Sequence, residues 1–239
     1  MKITNFARKV IPCKSCGAVI VAAGFASRMG GVDKVMAELK GEPMILHTVR
    51  AFQQTEVIRE IVIVTRPDLI VPVSDLCRKA GLDKVIMVVA GGKTRQESVM
   101  LGLGCLTKGT KLAAIQDGAR PLVTAQLVDR VVRAANTYGA AAPGVPVKDT
   151  VKEAKGGVVQ RTPDRKLLYA AQTPQVFDFD LIRGALQKAA GDKAEVTDDC
   201  SAVERMGMSV RLVPGEEENF KVTTRQDLLL ARALMEERK

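Results

Sequence analysis

Short continuous runs of apolar residues recur along this chain, and segments with helical spacing separate them. The apolar runs span residues 18–22, 61–65, 85–89, 112–115 and 140–145, and each is bounded by turn residues. Such a run is typical of a strand that is buried on both faces of a sheet. The intervening helical segments span residues 44–52, 69–80, 96–106 and 125–138. This alternation predicts an α/β fold with a doubly wound, mostly parallel sheet and right-handed crossovers.

A different pattern occupies residues 147–172. Residues 147–154 alternate apolar and polar side chains, Gly156 and Gly157 form a turn, and Val158 begins a return strand. This pattern predicts a protruding β-hairpin arm instead of another strand-helix-strand unit. Because a two-stranded hairpin is only marginally stable alone, the arm must pack on its own domain or exchange with a partner subunit.

The remainder of the chain returns to helical spacing at residues 179–190, 200–206 and 225–237, with a strand at 210–213. No internal repeat and no linker rich in Pro, Gly or Ser divides the sequence. We therefore expect residues 1–239 to form a single domain, with the arm at approximately 147–172.

The loops that follow the predicted strands are candidate binding sites, because ligands of such sheets bind beyond the carboxyl ends of the strands. Three of these loops are rich in glycine and charge, at residues 22–34, 91–98 and 117–121. The first carries Arg28 and Lys34 beside glycines, which let backbone N–H groups approach an anion. It matches neither the P-loop pattern nor the dinucleotide fingerprint, whose second glycine is replaced by Ala26. Together the three loops predict a site for several phosphate groups.

The net charge indicates which kinds of molecule this protein binds. The formal net charge is +9 at pH 7, which favours an anionic partner. The chain has no Trp, two Tyr and six Phe, too few to provide the aromatic platforms on which single-stranded nucleic acids stack. We therefore expect small phosphorylated molecules as partners, with no nucleic acid and no membrane.

The cysteines and the histidine exclude several kinds of site. Five cysteines are scattered without a signal-peptide pattern, so we expect reduced thiols and a cytoplasmic protein. Cys13 and Cys16 have metal-ligand spacing, but no second pair accompanies them. His47 is the single histidine, which excludes His-based catalytic triads and His-rich metal sites.

The assembled motifs resemble those of the 2-C-methyl-D-erythritol 4-phosphate cytidylyltransferases, nucleotidyltransferases of the non-mevalonate isoprenoid pathway. The likeness covers almost the whole chain from Ala18 on and includes the motifs at residues 22–24, 28–30, 91–92, 95–99, 117–121, 149–152, 172–175, 197–199 and 219–222. It implies a Rossmann-like nucleotidyltransferase domain. Residues 1–15 lie outside the likeness and form an N-terminal extension without an assigned role.

The resemblance also implies a reaction. A phosphate oxygen of 2-C-methyl-D-erythritol 4-phosphate attacks the α-phosphorus of CTP, with Mg²⁺ as cofactor. The products are 4-diphosphocytidyl-2-C-methyl-D-erythritol and pyrophosphate, and no covalent enzyme intermediate forms. Such chemistry requires mainly the alignment of two anions and the stabilisation of charge on the phosphate oxygens.

Residue roles follow from the same resemblance. Arg28 and Lys34 are expected to hold the triphosphate and stabilise the transition state, and Arg165 and Lys221 to hold the methylerythritol phosphate. Asp117 is expected near the ribose or as a ligand of Mg²⁺. The other expected substrate-binding residues are Ala22, Ala23, Gly24, Gly92, Ser98, Arg120, Thr150 and Thr173.

The arm of this family reaches into a partner subunit, so the resemblance implies a homodimer in which each site is built from two chains. Two alternatives remain open at this point. One is a ribitol-5-phosphate cytidylyltransferase, which shares the nucleotide loops. The other is a non-catalytic nucleotide-binding protein on the same fold. The sequence departs from the usual family pattern at Ala26, Asp33 and Gln116 and has a short spacing between Arg28 and Lys34.

Overall fold

An eight-stranded sheet forms the frame of the protein in a computed structural model that describes residues 13–24 and 34–238. The strands are β1 (Cys16–Val21), β2 (Glu38–Leu39), β3 (Glu42–Pro43), β4 (Ile58–Thr65), β5 (Val85–Ala90), β6 (Leu112–Asp117), β7 (Ala140–Pro146), β8 (Glu153–Lys155), β9 (Val158–Arg161), β10 (Tyr169–Ala171), β11 (Gln175–Asp178) and β12 (Arg211–Pro214). The helices are α1 (Met44–Gln54), α2 (Ile70–Lys79), α3 (Arg95–Gly104), α4 (Ala125–Tyr138), α5 (Phe179–Gly191), α6 (Asp199–Glu204) and α7 (Arg225–Glu237).

The parallel core of this sheet confirms the predicted fold class. β1 pairs in parallel with β4 and β6, and β4 pairs in parallel with β5. Each apolar run predicted to be a strand lies in one of the strands β1, β4, β5, β6 and β7, with ends that differ by a few residues. The parallel strands therefore direct their carboxyl ends, and the loops that follow them, to one edge of the sheet.

Two antiparallel strands make the sheet mixed, which the sequence pattern did not predict. β11 lies between β6 and β7 and is antiparallel to both, while β10 is antiparallel to β7. β11 contains only Gln175, Val176, Phe177 and Asp178, so it lacks the length that marks the other buried strands. Its pairing depends on two strands distant in sequence, which local periodicity cannot indicate.

Helices cover both faces of the sheet, as expected for a doubly wound arrangement. On one face α1, α2 and α4 bury side chains such as Phe52 and Val131. On the other face α3, α5 and α6 bury side chains such as Leu103 and Leu186. None of the helices within residues 13–24 and 34–238 has the length and apolar character needed to cross a membrane.

The hairpin predicted for the arm is present as β8 and β9, which pair with each other and not with the central sheet. Its turn consists of Gly156 and Gly157 with φ of 57° and 78°, which fits a two-residue hairpin turn. The first strand is shorter than predicted, because it begins at Glu153 and residues 147–152 belong to no strand. Val158 and Val159 on the second strand are 64% and 54% exposed, so the hairpin has no packing partner within the described chain.

One glycine sets how closely α3 packs on the sheet. A Cβ atom at Gly102 would lie 2.8 Å from Cγ2 of Val64 on β4 and would also overlap Cγ1 of Val19 on β1. Both valines are fully buried, so neither has room to move. The helix α3, which follows the predicted loop at residues 91–98, therefore approaches the sheet at a distance that only glycine allows.

We expect Gly102→Ala to lower the free energy of unfolding by about 1–3 kcal/mol, because overpacking outweighs the better helix propensity of alanine. The measurement is the midpoint of urea unfolding. The matched control is Gly184→Ala in α5, where a Cβ atom would meet nothing within 4 Å. That control should be neutral or stabilising by up to about 1 kcal/mol. A Gly102→Ala variant as stable as the control would contradict this account of the packing.

Candidate active site

A cleft of about 280 Å³ lies at the carboxyl edge of the sheet, where the predicted loops meet. It is lined by Val21, Ala22, Ala23, Gly24, Lys34, Val35, Gly92, Lys93, Thr94, Arg95, Ser98, Asp117, Ala119 and Lys221. All three strand-end loops contribute to this lining, together with Lys221 from the segment before α7. The cleft thus assembles eight of the predicted site residues: Ala22, Ala23, Gly24, Lys34, Gly92, Ser98, Asp117 and Lys221.

Backbone contacts hold the loops against one another. The N–H of Ala22 donates to the carbonyl of Val64 at 2.7 Å, and the N–H of Gly118 donates to the carbonyl of Val21 at 2.8 Å. A Cβ atom at Gly91 would overlap Cβ of Ala23 and lie 2.8 Å from Oγ of Ser98. The first and second of these loops therefore approach each other at a distance that only glycine allows at position 91.

The N-terminus of α3 forms one wall of the cleft. Thr94 caps the helix by accepting a hydrogen bond from the N–H of Glu97 at 3.0 Å. The hydroxyl of Ser98 donates to the carbonyl of Thr94 at 2.9 Å and accepts from the N–H of Gly92 at 3.1 Å. Ser98 therefore shapes the loop before α3, and the positive end of the helix dipole faces the cleft.

Asp117, at the end of β6, is surrounded by cations. Its Oδ2 lies 3.1 Å from Nζ of Lys221 and 3.4 Å from Nε of Arg120, and its Oδ1 lies 3.5 Å from Nε of Arg95. Burial disfavours the ionised carboxylate, but the charges of Lys221, Arg95 and Arg120 outweigh it and lower the pKa of Asp117. Asp117 is therefore ionised at neutral pH and holds Arg95 and Lys221 at the cleft, with Arg120 behind it.

Arg95 is paired with a second carboxylate, and sequence reasoning assigned a role to neither residue. Nη2 of Arg95 lies 2.8 Å from Oδ2 of Asp199, which is 1% exposed. Burial raises the pKa of Asp199, and Arg95 offsets part of that effect. Arg95 could have been included because it lies within the second of the three predicted strand-end loops, residues 91–98. Asp199 lies in the family motif at residues 197–199, but the sequence does not indicate its pairing with Arg95, because only the fold brings α6 to that side chain.

Arg120 and Thr173, both predicted to bind substrate, lie behind Asp117 and do not line the cleft. The hydroxyl of Thr173 accepts a hydrogen bond from the N–H of Asp117 at 3.1 Å. Nη1 of Arg120 donates to the carbonyl of Asn219 at 2.7 Å, and burial lowers the pKa of this guanidinium. In this structure both residues contact Asp117, and neither of them lines the cleft.

The remaining predicted residues are not brought to the cleft within the described part of one chain. Arg165 and Thr150 are exposed on the arm, where Nη1 of Arg165 donates to the carbonyl of Lys148 at 2.6 Å. Arg28 and Ala26 lie outside the described residues, as do residues 1–12 of the N-terminal extension. Lys34 stands in a 3-10 turn, Lys34–Met36, at the edge of the cleft.

The donor set of the cleft fits a magnesium ion only in combination with substrate oxygens. Within residues 13–24 and 34–238, no group of three or more His, Cys, Asp or Glu side chains is placed to hold a metal ion. Asp117 is the one carboxylate among the lining residues of the cleft. A hard cation that retains water requires only one or two carboxylates when phosphates supply the other ligands.

Comparison with known proteins gives one consistent result. The family model described as IspD, 2-C-methyl-D-erythritol 4-phosphate cytidylyltransferase, matches residues 16–237. A protein of that name from Caldanaerobacter subterraneus subsp. tengcongensis is 43% identical over 221 residues, covering 90% of this chain and 96% of the relative. Another of that name from Desulforamulus reducens is 44% identical over 224 residues, covering 92% and 96%.

Solved structures agree with these matches. A 4-diphosphocytidyl-2C-methyl-D-erythritol synthase from Anaerococcus prevotii superposes with a TM-score of 0.85 at 31% identity, covering 93% of this chain and 96% of that chain. A 2-C-methyl-D-erythritol 4-phosphate cytidylyltransferase from Thermus thermophilus superposes with a TM-score of 0.76 at 33% identity, covering 91% and 98%.

We expect Asp117→Asn to lower the free energy of unfolding by about 3 kcal/mol at pH 7, because it removes the carboxylate that faces the buried Arg120 and the partly buried Arg95 and Lys221. The folded-state pKa of Asp117 is lowered, so its contribution is complete above the usual value of 3.8 and is lost as the pH falls through the folded-state pKa. Urea unfolding at pH 7, 5 and 3.5 should therefore show the same deficit at pH 7 and 5 and a smaller one at pH 3.5.

The matched control is Asp180→Asn, which removes an exposed carboxylate that lies 3.0 Å from Arg183. Because exposed ion pairs contribute little, this variant should change the unfolding free energy by less than about 1 kcal/mol. Equal effects of the two substitutions at pH 7 would show that Asp117 does not organise its cations.

Proposed function

The chain belongs to the 2-C-methyl-D-erythritol 4-phosphate cytidylyltransferase family, and we propose that the cleft beside Asp117 is where it joins its two substrates. The enzyme transfers a cytidylyl group from CTP to 2-C-methyl-D-erythritol 4-phosphate in isoprenoid precursor biosynthesis. The observation that supports this location is the charge of the cleft. Among the described residues that line it, Lys34, Lys93, Arg95 and Lys221 are cationic and Asp117 is the one carboxylate. Such a surplus suits the phosphates of two anionic substrates.

The nucleotide half of the site is proposed at the ends of β1 and β5. Ala22, Ala23, Gly24 and Gly92 offer backbone groups without side chains that would fill the space. A main-chain carbonyl at a strand end can face the exocyclic amine of cytosine. In the proposal, Lys34 and Arg28 hold the triphosphate, and Ser98 keeps the loop before α3 in place.

The acceptor half is proposed around Lys221. In the unliganded cleft its ammonium is paired with Asp117 at 3.1 Å, and its side chain is 37% exposed. A phosphate dianion entering the cleft would therefore find a cation that is already placed at the site. Arg165 and Thr150 would complete this half from the arm of a second subunit.

The proposed mechanism requires alignment and charge stabilisation from the protein. The acceptor phosphate is itself a charged nucleophile at neutral pH, since the second pKa of a phosphomonoester is about 6. Its oxygen forms a bond to the α-phosphorus of CTP while the bond to pyrophosphate breaks. Lys34 and Arg28 stabilise the charge that spreads over the oxygens, and Lys221 and Arg165 hold the attacking group in line.

We propose Mg²⁺ as the cofactor, held by Asp117 together with phosphate oxygens of CTP. When bound, the ion would neutralise part of the charge on the triphosphate. We also propose a cytoplasmic location, because Cys13, Cys16, Cys77, Cys105 and Cys200 are all free thiols, as is usual in a reducing compartment.

A homodimer follows from the same proposal. The arm residues Val158, Leu167 and Tyr169 are 64%, 77% and 49% exposed, although their side chains are large and apolar. A surface of this kind suits contact with another protein. In the proposed dimer, the arm of each subunit lies over the cleft of the other.

We expect Lys34→Ala and Lys221→Ala to reduce turnover by about 10²–10³-fold, because each removes a cation that stabilises the reacting phosphates. The assay incubates the protein with CTP, Mg²⁺ and either methylerythritol phosphate or ribitol 5-phosphate. It measures pyrophosphate release and identifies the product by phosphorus NMR.

Lys79→Ala is the matched control, since Lys79 is exposed at the end of α2, away from the cleft lining. It should retain full activity. Faster turnover of ribitol 5-phosphate than of methylerythritol phosphate would contradict the substrate assignment. Undiminished turnover by Lys34→Ala would contradict the location of the site.

A mixing experiment tests whether each site is shared between two chains. Lys34→Ala and Arg165→Ala should each be inactive, but a heterodimer would contain one site with both residues intact. After subunit exchange of an equal mixture, we expect about a quarter of the native activity, because half of the dimers are mixed and each has one working site. Dimers that exchange subunits without recovering activity would contradict the shared site, and so would a fully active monomer in sedimentation.

A further inference from the structure

The segment that carries Lys221 lies between β12 and α7 and contains no helix or strand. A lysine side chain is a flexible four-carbon stem, so the place of its ammonium depends on how firmly the backbone is held. Irregular segments are usually the mobile parts of a fold. This one nevertheless contains Asn219 and Val222, which are both completely buried.

Asn219 attaches the segment to the connection between β10 and β11. Its Nδ2 donates to the carbonyl of Thr173 at 2.9 Å and to Oε1 of Gln172 at 3.3 Å. Its own carbonyl accepts from Nη1 of Arg120 at 2.7 Å. Because Thr173 and Arg120 also contact Asp117, these bonds place the segment relative to the carboxylate that faces Lys221.

Gln172 provides the other half of this attachment. Its Nε2 donates to the carbonyl of Glu216 at 2.8 Å, and its Oε1 accepts from the N–H of Glu216 at 3.2 Å. The backbone N–H of Gln172 donates to the carbonyl of Pro143 on β7 at 2.8 Å. The amide of Gln172 thus connects the start of the segment to the central sheet.

A second anchor follows Lys221 directly. The N–H of Val222 donates to the carbonyl of Ala119 at 2.8 Å, in the turn that follows Asp117. Lys221 is therefore held between Asn219 on one side and Val222 on the other. Of these anchors, the amide contacts can be removed without changing the hydrophobic core.

We propose that Asn219 and Gln172 form an amide clamp that positions Lys221 for the phosphate of the acceptor substrate. The clamp residues do not line the cleft, so they act as positioning residues through Lys221. The proposal rests on the acceptor role given to Lys221 above. It goes further in assigning to two buried amides a specific effect on one of the two substrates.

The expected effect of Asn219→Ala is a KM for methylerythritol phosphate raised about tenfold, which corresponds to about 1.4 kcal/mol, because the variant loses the buried side-chain hydrogen bonds to Thr173 and Gln172. The KM for CTP should stay within twofold of its native value, because the side-chain hydrogen bonds of Asn219 go to Thr173 and Gln172 and not to the described residues of the proposed nucleotide half. A variant that merely loosened the fold would alter both constants.

A double-mutant cycle with Lys221→Ala tests the coupling. If Asn219 acts through Lys221, Asn219→Ala should change kcat/KM for the acceptor by less than about twofold in the Lys221→Ala background. Gln53→Ala is the matched control, because it also removes an amide side chain. The Gln53 side chain accepts a hydrogen bond from the N–H of Lys84 at 3.0 Å and does not line the cleft. It should leave both KM values unchanged in either background.

The outcomes separate the clamp from the function on which it rests. Equal losses from Asn219→Ala in the native and Lys221→Ala backgrounds would overturn the clamp alone. An unchanged acceptor KM in Lys221→Ala would overturn the role of Lys221 and the clamp together. If Asn219→Ala fails to fold, Gln172→Met replaces it in the cycle, since it keeps the side-chain length and removes both amide contacts to Glu216.

Discussion

The carboxylate of Asp117 joins parts of the chain that are distant in sequence. It faces Arg95 from α3, Arg120 from its own turn and Lys221 from the segment before α7. Its backbone N–H donates a hydrogen bond to the hydroxyl of Thr173, which precedes β11. Charge interactions of this kind are stronger in a buried setting than in water, because the effective dielectric constant is lower. The arrangement of the cleft therefore depends on one ionised side chain at the end of a central strand.

The same interaction explains how a cationic cleft exists before substrate binds. Cations placed close together repel each other, and burial adds a cost for each charge. Asp117 and Asp199 offset the repulsion and the burial cost of the Arg95 charge. Asp117 does the same for the Lys221 charge. In the proposed function, substrate phosphates add their charge to a set of cations that the fold already holds in place, which is the form of preorganisation that phosphoryl transfer requires.

Much of the fold could be predicted from local patterns. The apolar runs and helical spacing predicted the parallel strands and their crossover helices, and Gly156 and Gly157 predicted the turn of the arm. Strand-end loops also indicated Lys34, Gly92 and Asp117 as neighbours, because parallel strands direct their carboxyl ends to one edge. The central position of β11 was not predictable, since a strand of four residues acquires its place from its neighbours.

The sequence by itself determined the alternation of strands and helices, the loops at the cleft and the family resemblance, because each is encoded by residues close together in the chain. Only the tertiary structure decided that Arg95 pairs with Asp199, that Arg120 and Thr173 support Asp117 from behind, and that Asn219 holds the segment of Lys221. It also showed that Arg165, on the predicted arm, does not line the cleft of its own chain. The physical reason is that these contacts join side chains across elements, and their geometry exists only once the sheet has brought those elements together.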